Sequence, residues 1–358
     1  MSNKSIQSCI DKIAASRTIL TSVTGVLMTK LKIEPEPVAE AAPACVEPPP
    51  FGRWVSDAAR RIFDAEVKAQ GRPFESLLEA RAVYDAQNSG RLDIMRPLFP
   101  TAVASATLGA VRVDIVVPAG REPVLEDNEV VLICLHGGAF AWGAGDGALL
   151  EAVPIAAVSG LTVVAVDYRM APEHSHPAAV DDVLAAYQAL IAQRPASRVG
   201  IYGCSAGAIL TAQVLARLQA EGLERPGAVA LMHAGGLELD GDLLALAPMM
   251  TGDAPAAGLS RFAHMPYLAG ADVTDPLVFP GEHPGVLAKF PPTLLVTGTR
   301  DFSASSMSVM HRRMLSAGAE AEFILFDGLW HAFHMFGELP ESRELYDLIS
   351  AFFLRRLA

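Results

Sequence analysis

The feature that most constrains this chain is the pentapeptide GCSAG at residues 203–207, which joins an apolar run to a helical pattern. A sharp turn between a strand and a helix lifts the central Ser205 Oγ clear of the backbone, and crowding requires glycine at Gly203 and Gly207. An ordinary glycine-rich turn is the alternative interpretation. Ser205 is therefore a candidate nucleophile if the chain also supplies an oxyanion hole, an acid and a base.

Short apolar runs alternate with helical patterns from Ala106 onward. Runs that predict strands occupy residues 111–117, 130–135, 161–166, 198–202, 228–232, 293–297 and 322–326. Continuous apolar strands that alternate with amphipathic helices predict an α/β protein with a mostly parallel sheet covered by helices on both faces. In such a fold, ligands bind beyond the carboxyl ends of the strands.

Three segments stand outside this alternation. Residues 1–50 begin with a helical pattern and end in a Pro-, Glu- and Ala-rich stretch, which predicts a helical arm and a stiff linker. Residues 54–98 have a helical pattern with Pro73 and Pro97 as breaks. The stretch 237–290 shows no convincing strand, and so long a gap inside a domain is typical of a lid or binding segment.

The bulk composition excludes several classes of partner. The net charge is −12 over 358 residues, which disfavours nucleic acid and anionic membranes. No stretch of ~20 uncharged apolar residues predicts a membrane span, and the four cysteines form no C-x-x-C pair, so no metal site is expected. Cys134 and Cys204 fall in apolar runs and are expected to be small core residues of a protein in a reducing compartment. This favours a cytoplasmic location, with a cleaved N-terminal signal as the alternative.

A glycine-rich loop, HGGA at residues 136–139, follows the predicted strand 130–135. Attack by a serine needs donors aimed at the oxygen that becomes negative in the tetrahedral intermediate. Backbone N–H groups of such a loop, together with that of Ala206 directly after the candidate nucleophile, can form a hole with three donors. A plain loop is the alternative, and the place of HGGA upstream of GCSAG favours the functional interpretation.

An acid and a base follow the last two predicted strands. Asp301 stands at the end of one strand, and His331 comes shortly after the next. Both therefore lie past carboxyl ends of strands, on the side where Ser205 emerges. The order Ser, Asp, His along the chain is the one used with a nucleophile on this kind of turn. His334 and Asp327 are the alternatives for the base and the acid.

Three motifs in this order, HGGA at 136–139, DYRMAPE at 167–173 and GCSAG at 203–207, resemble those of the hormone-sensitive-lipase group of α/β-hydrolases. Bacterial members of this group are carboxylesterases. The resemblance covers about Ala106 to the C-terminus. It implies an α/β-hydrolase fold with a helical cap, and a serine esterase that hydrolyses short- to medium-chain acyl esters through an acyl-enzyme. No cofactor is implied, and a homodimer is left open.

The resemblance also assigns residues and segments. The implied catalytic residues are Ser205, Asp301 and His331, the oxyanion donors are Gly138, Ala139 and Ala206, and the supporting positions are His136, Gly137, Gly203 and Gly207. The implied cap is formed by 51–105 and 237–290, and the implied catalytic core by 106–236 and 291–358.

Two residues depart from the family pattern. Ala139 stands where the family usually has a third glycine. It keeps a backbone N–H, and a positive φ there would cost about 1 kcal/mol. Cys204 stands where many members have Asp or Thr, which makes its thiol an alternative nucleophile. Within DYRMAPE, Asp167 and Arg169 are expected to pair and brace the loops below the oxyanion hole, and Glu173 is expected to be structural as well.

Two further functions would use the same region of the chain. An amidase would need the same three catalytic residues, whereas some relatives of this fold are small-molecule receptors that have lost one of them. The chain retains Ser205, Asp301 and His331, which favours an enzyme over a receptor. A small-molecule ester is thus the expected partner.

Overall fold

An eight-stranded sheet is the framework of the fold, seen in a computed structural model that describes residues 47–67, 74–251 and 262–357. The strands are, in chain order, β1 (Thr101–Leu108), β2 (Val111–Pro118), β3 (Val131–Leu135), β4 (Thr162–Val166), β5 (Val199–Cys204), β6 (Ala228–Met232), β7 (Thr293–Arg300) and β8 (Ala321–Trp330). Their order across the sheet is β1-β2-β4-β3-β5-β6-β7-β8.

The sheet is mostly parallel, as the sequence predicts. Strands β3 to β8 run parallel to one another, and β1 and β2 add an antiparallel hairpin beside β4. Strands β5, β6, β7 and β8 are successive neighbours, so their carboxyl ends meet along one edge of the sheet. Loops that leave these four strands can therefore contribute side chains to a single site.

Helices cover both faces of the sheet. Those in the described residues are α1 (Asp57–Ile62), α2 (Leu77–Leu98), α3 (Asp146–Ser159), α4 (Ala178–Ile191), α5 (Ala206–Ala220), α6 (Asp242–Thr251), α7 (Pro284–Leu287), α8 (Ala304–Ser316) and α9 (Pro340–Leu357). Apolar side chains of α4, α5 and α8 pack on one face, and those of α1, α2, α3 and α9 pack on the other. Strands β3, β4, β5 and β6 are buried along their whole length, which explains their continuous apolar sequences.

Strand β1 is the one strand of the sheet that the sequence pattern did not predict. It lies at the edge of the sheet and none of its residues is fully buried, so it mixes small and hydroxyl side chains with apolar ones. Because β1 begins at Thr101 and belongs to the core sheet, the predicted boundary between cap and core at residue 105 is wrong. The predicted break at Pro97 lies within one residue of the observed helix end, since Pro97 is in the last turn of α2, which ends at Leu98.

The segment predicted to be an inserted cap contains α6, α7 and short turns, and the parts of it that the structure describes, 237–251 and 262–290, contain no strand. No helix among the described residues is long and apolar enough to cross a membrane. The predicted arm with most of its linker (1–46) and the predicted break at Pro73 lie outside the described residues.

Candidate active site

The turn between β5 and α5 holds Ser205 in the unusual conformation that a nucleophile elbow requires. Ser205 has a φ of 52° and a ψ of −117°, and its backbone N–H donates to the carbonyl of Met232 at 2.8 Å. A Cβ on Gly203 would lie 2.3 Å from the backbone of Gly207, and one on Gly207 would lie 1.8 Å from the carbonyl oxygen of Leu135. The close approach of strand, turn and helix therefore demands glycine at both flanking positions.

The loop after β3 has two backbone N–H groups free to bind an oxyanion. Gly138 and Ala139 have φ values of 111° and 53°, and their N–H groups have no acceptor among the described residues. The carbonyl of Gly138 closes the loop by accepting from the N–H groups of Ala141 and Trp142, at 2.8 and 3.0 Å. Ala139 thus adopts the positive φ anticipated from the sequence, with its small strain, and keeps its donor.

Ala206 is the first residue of α5, directly after the candidate nucleophile. The first N–H groups of a helix have no partner inside the helix and carry the positive end of its dipole. The N–H of Ala206 is therefore suited to receive negative charge beside Ser205. Gly137 lies against the same turn, because a Cβ added to it would be 3.5 Å from the Cβ of Ser205.

Asp301 and His331 meet at the carboxyl edge of the sheet, as the sequence predicts. Oδ1 of Asp301 accepts from Nδ1 of His331 at 2.9 Å and from the backbone N–H of Ser303 at 2.9 Å. Its Oδ2 accepts from Thr297 Oγ1 at 2.8 Å and from Nδ1 of His233 at 2.6 Å. Burial alone would raise the pKa of Asp301, but the charge of His331 and the hydrogen bonds of both histidines hold it below its usual range.

His331 is the partly exposed member of this group. Its side chain is 22% exposed, whereas that of Asp301 is fully buried. The ring of Phe302 stacks on it with a centroid distance of 4.2 Å. Because Nδ1 binds Asp301 and Nε2 has no partner among the described residues, the ring can take a proton at Nε2 from a group on the exposed side.

The alternative catalytic residues lie elsewhere. His334 is buried, and its ring stacks on that of His233 instead of contacting Asp301. Asp327 is exposed, with an oxygen 3.5 Å from Thr299 Oγ1. Cys204 is buried in the core, as expected, and burial raises the pKa of its thiol, which disfavours the thiolate that a cysteine nucleophile needs.

The predicted ion pair between Asp167 and Arg169 is wrong. Arg169 instead pairs with Asp182 of α4 at 2.8 Å, and its backbone N–H donates to the same carboxylate. Asp167 faces Arg112 on the neighbouring strand β2, with 3.6 Å between the charged atoms. Arg169 finds its partner on the helix that follows β4, and Asp167 finds its partner on β2, which the immediate sequence neighbourhood does not reveal.

Glu173 is structural, as expected, and its partner is Arg81 on α2. Two nitrogens of Arg81 each bind one oxygen of Glu173 at 2.8 Å. The same guanidinium donates to the carbonyls of Ala141 and Ala171 at 2.6 Å. Arg81 thus ties α2 to the loop after β3 (136–142), which is the candidate oxyanion loop, and to the DYRMAPE loop.

Three further residues of the region are buried; Glu151 and His233 were not predicted, whereas His136 was predicted only as a supporting position of its motif. Glu151 of α3 accepts the backbone N–H of Gly137 at 2.7 Å, and burial raises its pKa to about 8. His136 stacks on Tyr168 at 4.2 Å between centroids, and burial lowers the pKa of His136 to about 4. The signal for Glu151 was a lone acid in the apolar stretch 148–157, and the signal for the third residue, His233, was its position after a predicted strand.

Two groups of side chains in the described residues have atoms of the kind that bind metals. One consists of Glu151, Cys204 and His334, and the other of His233, Asp301 and His331. The second group is a hydrogen-bond network in which Asp301 already receives four donors. In the first group, burial favours the neutral acid of Glu151 and the neutral thiol of Cys204. Metal ligands must be deprotonated, so this protonation state disfavours metal binding at the first group.

Comparison with known proteins places this geometry in context. A family model described as the alpha/beta hydrolase fold matches residues 132–335. An acetyl-hydrolase of Streptomyces hygroscopicus is 31% identical over 233 residues, which are 64% of this chain and 77% of that protein. An esterase of Acinetobacter venetianus is 28% identical over 226 residues, which are 61% of this chain and 72% of that protein.

Solved structures show the same architecture. The crystal structure of an esterase superposes with a TM-score of 0.71 at 28% identity, covering 92% of this chain and 99% of that one. An esterase from the bacterial hormone-sensitive lipase family superposes with a TM-score of 0.74 at 24% identity, covering 85% of this chain and 99% of that one. At the latter identity, the likeness concerns the fold.

Proposed function

Since the chain belongs to the family of the alpha/beta hydrolase fold and is a hormone-sensitive-lipase-like carboxylic ester hydrolase, we propose that it uses a serine nucleophile. The proposed substrates are short- to medium-chain acyl esters. The observation that carries the proposal is the pair Asp301–His331, joined at 2.9 Å on the edge of the sheet from which Ser205 emerges. Acetyl esters are included at the short end, because a relative is named an acetyl-hydrolase.

The reaction proceeds through an acyl-enzyme. Ser205 Oγ attacks the ester carbonyl while Nε2 of His331 takes its proton, and the imidazolium returns that proton to the leaving alcohol. Water then gives its proton to His331 and attacks the acyl group, and the released proton restores Ser205 as the acid departs. Asp301 holds His331 in the tautomer that leaves Nε2 free to accept, and stabilises the imidazolium.

The oxyanion formed in each step is bound by backbone donors. The N–H groups of Gly138 and Ala139 come from the loop after β3, and that of Ala206 from the start of α5. Such donors act without reorganisation, and removal of one from a hole of this kind costs ~10²–10³-fold in kcat. A Cβ on Gly138 would lie 2.1 Å from the carbonyl oxygen of Trp142, so the tight fold of this loop requires glycine there.

Aromatic side chains beside the site support an apolar acyl pocket. Phe302 stacks on His331, and Tyr84 stacks on Trp142 with 4.6 Å between ring centroids. The ring of Trp142 in turn packs against the oxyanion loop, because a Cβ on Gly138 would lie 2.8 Å from it. Apolar walls with a few convergent polar groups are typical of small-ligand sites.

The test is hydrolysis of p-nitrophenyl esters from acetate to decanoate by the wild type, Ser205→Ala and Cys204→Ala. We expect Ser205→Ala to lose ~10⁴-fold or more in turnover and to resist labelling by an organophosphonate. Cys204→Ala should be labelled and stay within several-fold of wild type, because its thiol is buried behind the turn. Near-normal activity of folded Ser205→Ala would contradict the serine mechanism. Faster turnover of matched anilides than esters would indicate an amidase, and a wild type that is neither labelled nor active would indicate a receptor.

A further inference from the structure

His233, the first residue after β6, has no role in the mechanism above and is unusually placed. Its φ is 59°, a left-handed backbone conformation that few residues other than glycine adopt. Its backbone N–H donates to the carbonyl of Val296 at 2.8 Å. The side chain is fully buried, with Nδ1 2.6 Å from Oδ2 of Asp301. Strained backbone that directs a buried polar group toward a catalytic carboxylate is typical of functional sites.

The surroundings of His233 define its hydrogen-bonding state. Its titratable neighbours are Asp301, His331, whose ring centroid is 5.3 Å away, and His334, which stacks on it at 5.4 Å. Phe333 packs edge-on against the same ring. Nε2 of His233 is buried and has no partner among the described residues.

A single tautomer satisfies these contacts. Asp301 is ionised and can only accept, so the hydrogen bond requires the proton of His233 on Nδ1. Burial lowers the pKa of His233, although the hydrogen bond and charge of Asp301 oppose this, so the ring is neutral and Nε2 carries the lone pair. His233 therefore acts on Asp301 as a neutral donor.

We propose that His233 is a positioning residue for the triad, which holds Oδ2 of Asp301 through its Nδ1–H and thereby leaves Oδ1 to His331 and the backbone N–H of Ser303. The inference rests on the proposed function of these residues. Without this donor, Oδ2 keeps only the hydroxyl of Thr297 as a partner, so the carboxylate is less firmly held. It also loses a group that withdraws its negative charge, and it becomes a stronger acceptor for the proton of His331.

Two variants distinguish the loss of the hydrogen-bond donor from the change in side-chain volume at position 233. His233→Leu removes the donor, whereas His233→Asn places an amide N–H where Nδ1 stands and tolerates a left-handed φ. We expect His233→Leu to lose about tenfold in kcat, with KM unchanged, because a hydrogen bond to a charged group is lost. The acid limb of kcat/KM should move up by about 0.5–1 pH unit, because the carboxylate of Asp301 becomes a stronger hydrogen-bond acceptor. His233→Asn should restore both quantities.

The tautomer of the wild type provides a measurement that does not depend on the folding of His233→Leu. In ¹⁵N-histidine spectra of the resting protein, assigned by comparison with His233→Asn, we expect His233 to be protonated on Nδ1 and unprotonated on Nε2. Protonation on Nε2 would overturn the proposal. So would folded His233→Leu with wild-type kcat and pH profile, or folded His233→Asn that is as impaired as His233→Leu.

Each activity is measured beside the wild type and Ser205→Ala and is normalised to the fraction of protein labelled by an organophosphonate at completion. If the wild type itself is inactive and unlabelled, the proposed function fails and not the role of His233. If the wild type is active, is labelled at Ser205 and depends on that serine, the His233 variants test the positioning role alone.

Discussion

The buried carboxyl of Glu151 should make the stability of this protein fall as the pH rises from 4.5 to 8. Its pKa is raised from the usual 4.5 to about 8, mainly by burial, which the single hydrogen bond from Gly137 only partly offsets. The folded state thus holds a proton that the unfolded state releases near pH 4.5. The stabilisation by the protonated acid is complete below pH 4.5 and is lost progressively between pH 4.5 and 8.

The loss of unfolding free energy caused by Glu151 is best measured between pH 6.5 and 8. Each pH unit in which only the folded state holds the proton costs about 1.4 kcal/mol of unfolding free energy, so this interval corresponds to about 2 kcal/mol. Below pH 6.5, His136 has the opposite effect on the unfolding free energy. Its pKa is lowered to about 4, so the stabilisation by its neutral ring is lost as the pH falls from 6.5 to 4.

Urea unfolding at pH 6.5 and 8.0 of the wild type, Glu151→Gln and Glu173→Gln tests this expectation. Glutamine at 151 keeps an oxygen acceptor for the N–H of Gly137 and cannot ionise, so Glu151→Gln should lose about 2 kcal/mol less than the wild type over this interval. Glu173 lies on the surface, and its hydrogen bond with Arg81 lowers its pKa to about 2, so Glu173→Gln should keep the wild-type pH dependence. Equal losses in the wild type and Glu151→Gln would refute the argument.

Two further expectations concern backbone geometry at the site. Gly207→Ala should destabilise the fold by more than about 3 kcal/mol, because the new Cβ would meet the carbonyl of Leu135 at 1.8 Å. The matched change Gly285→Ala has no atom within 4 Å of its Cβ and should leave the thermal midpoint nearly unchanged; similar midpoints for both variants would contradict the crowding. Ala139→Gly should stay active and change stability by less than about 1 kcal/mol, since relief of a φ of 53° is offset by a more flexible unfolded chain. A folded but inactive Ala139→Gly in the ester assay would mean that the loop does not supply the donor.

The elements that were predicted correctly are those whose burial produces a recognisable pattern of apolar residues in the sequence. Strands β3 to β6 are covered on both faces, so nearly every residue is apolar and the strands stand out as runs. Strand β1, at an edge of the sheet, has no such requirement, and its mixed sequence concealed it. The family motifs were also located correctly, because HGGA and DYRMAPE directly follow β3 and β4, and GCSAG spans the end of β5.

The unpredicted part of the site consists of contacts between distant segments. Glu151 and Gly137 are 14 residues apart, and His233 and Asp301 are 68 apart. No periodicity or motif joins such pairs, because only the packing of helix on sheet and strand beside strand brings them together. The same limit explains the error at Arg169, for which the local neighbour Asp167 was the expected partner, whereas the observed partner is Asp182 on α4.

Few of the buried titratable groups around the candidate nucleophile are ionised. Asp301 is held as an anion, whereas burial favours the neutral forms of Glu151 and Cys204 and of three histidines, His136, His233 and His334. The polar atoms of Glu151, Cys204 and His334 lie within 4.8 Å of one another. An aspartate at position 204, as in many members of the resembling group, would set a second carboxyl against Glu151, and like charges so close cannot both ionise. A neutral thiol at this position removes that conflict and leaves Asp301 as the anion beside which an imidazolium forms on His331. Cys204 and Glu151 therefore lie close together with burial favouring the neutral form of each.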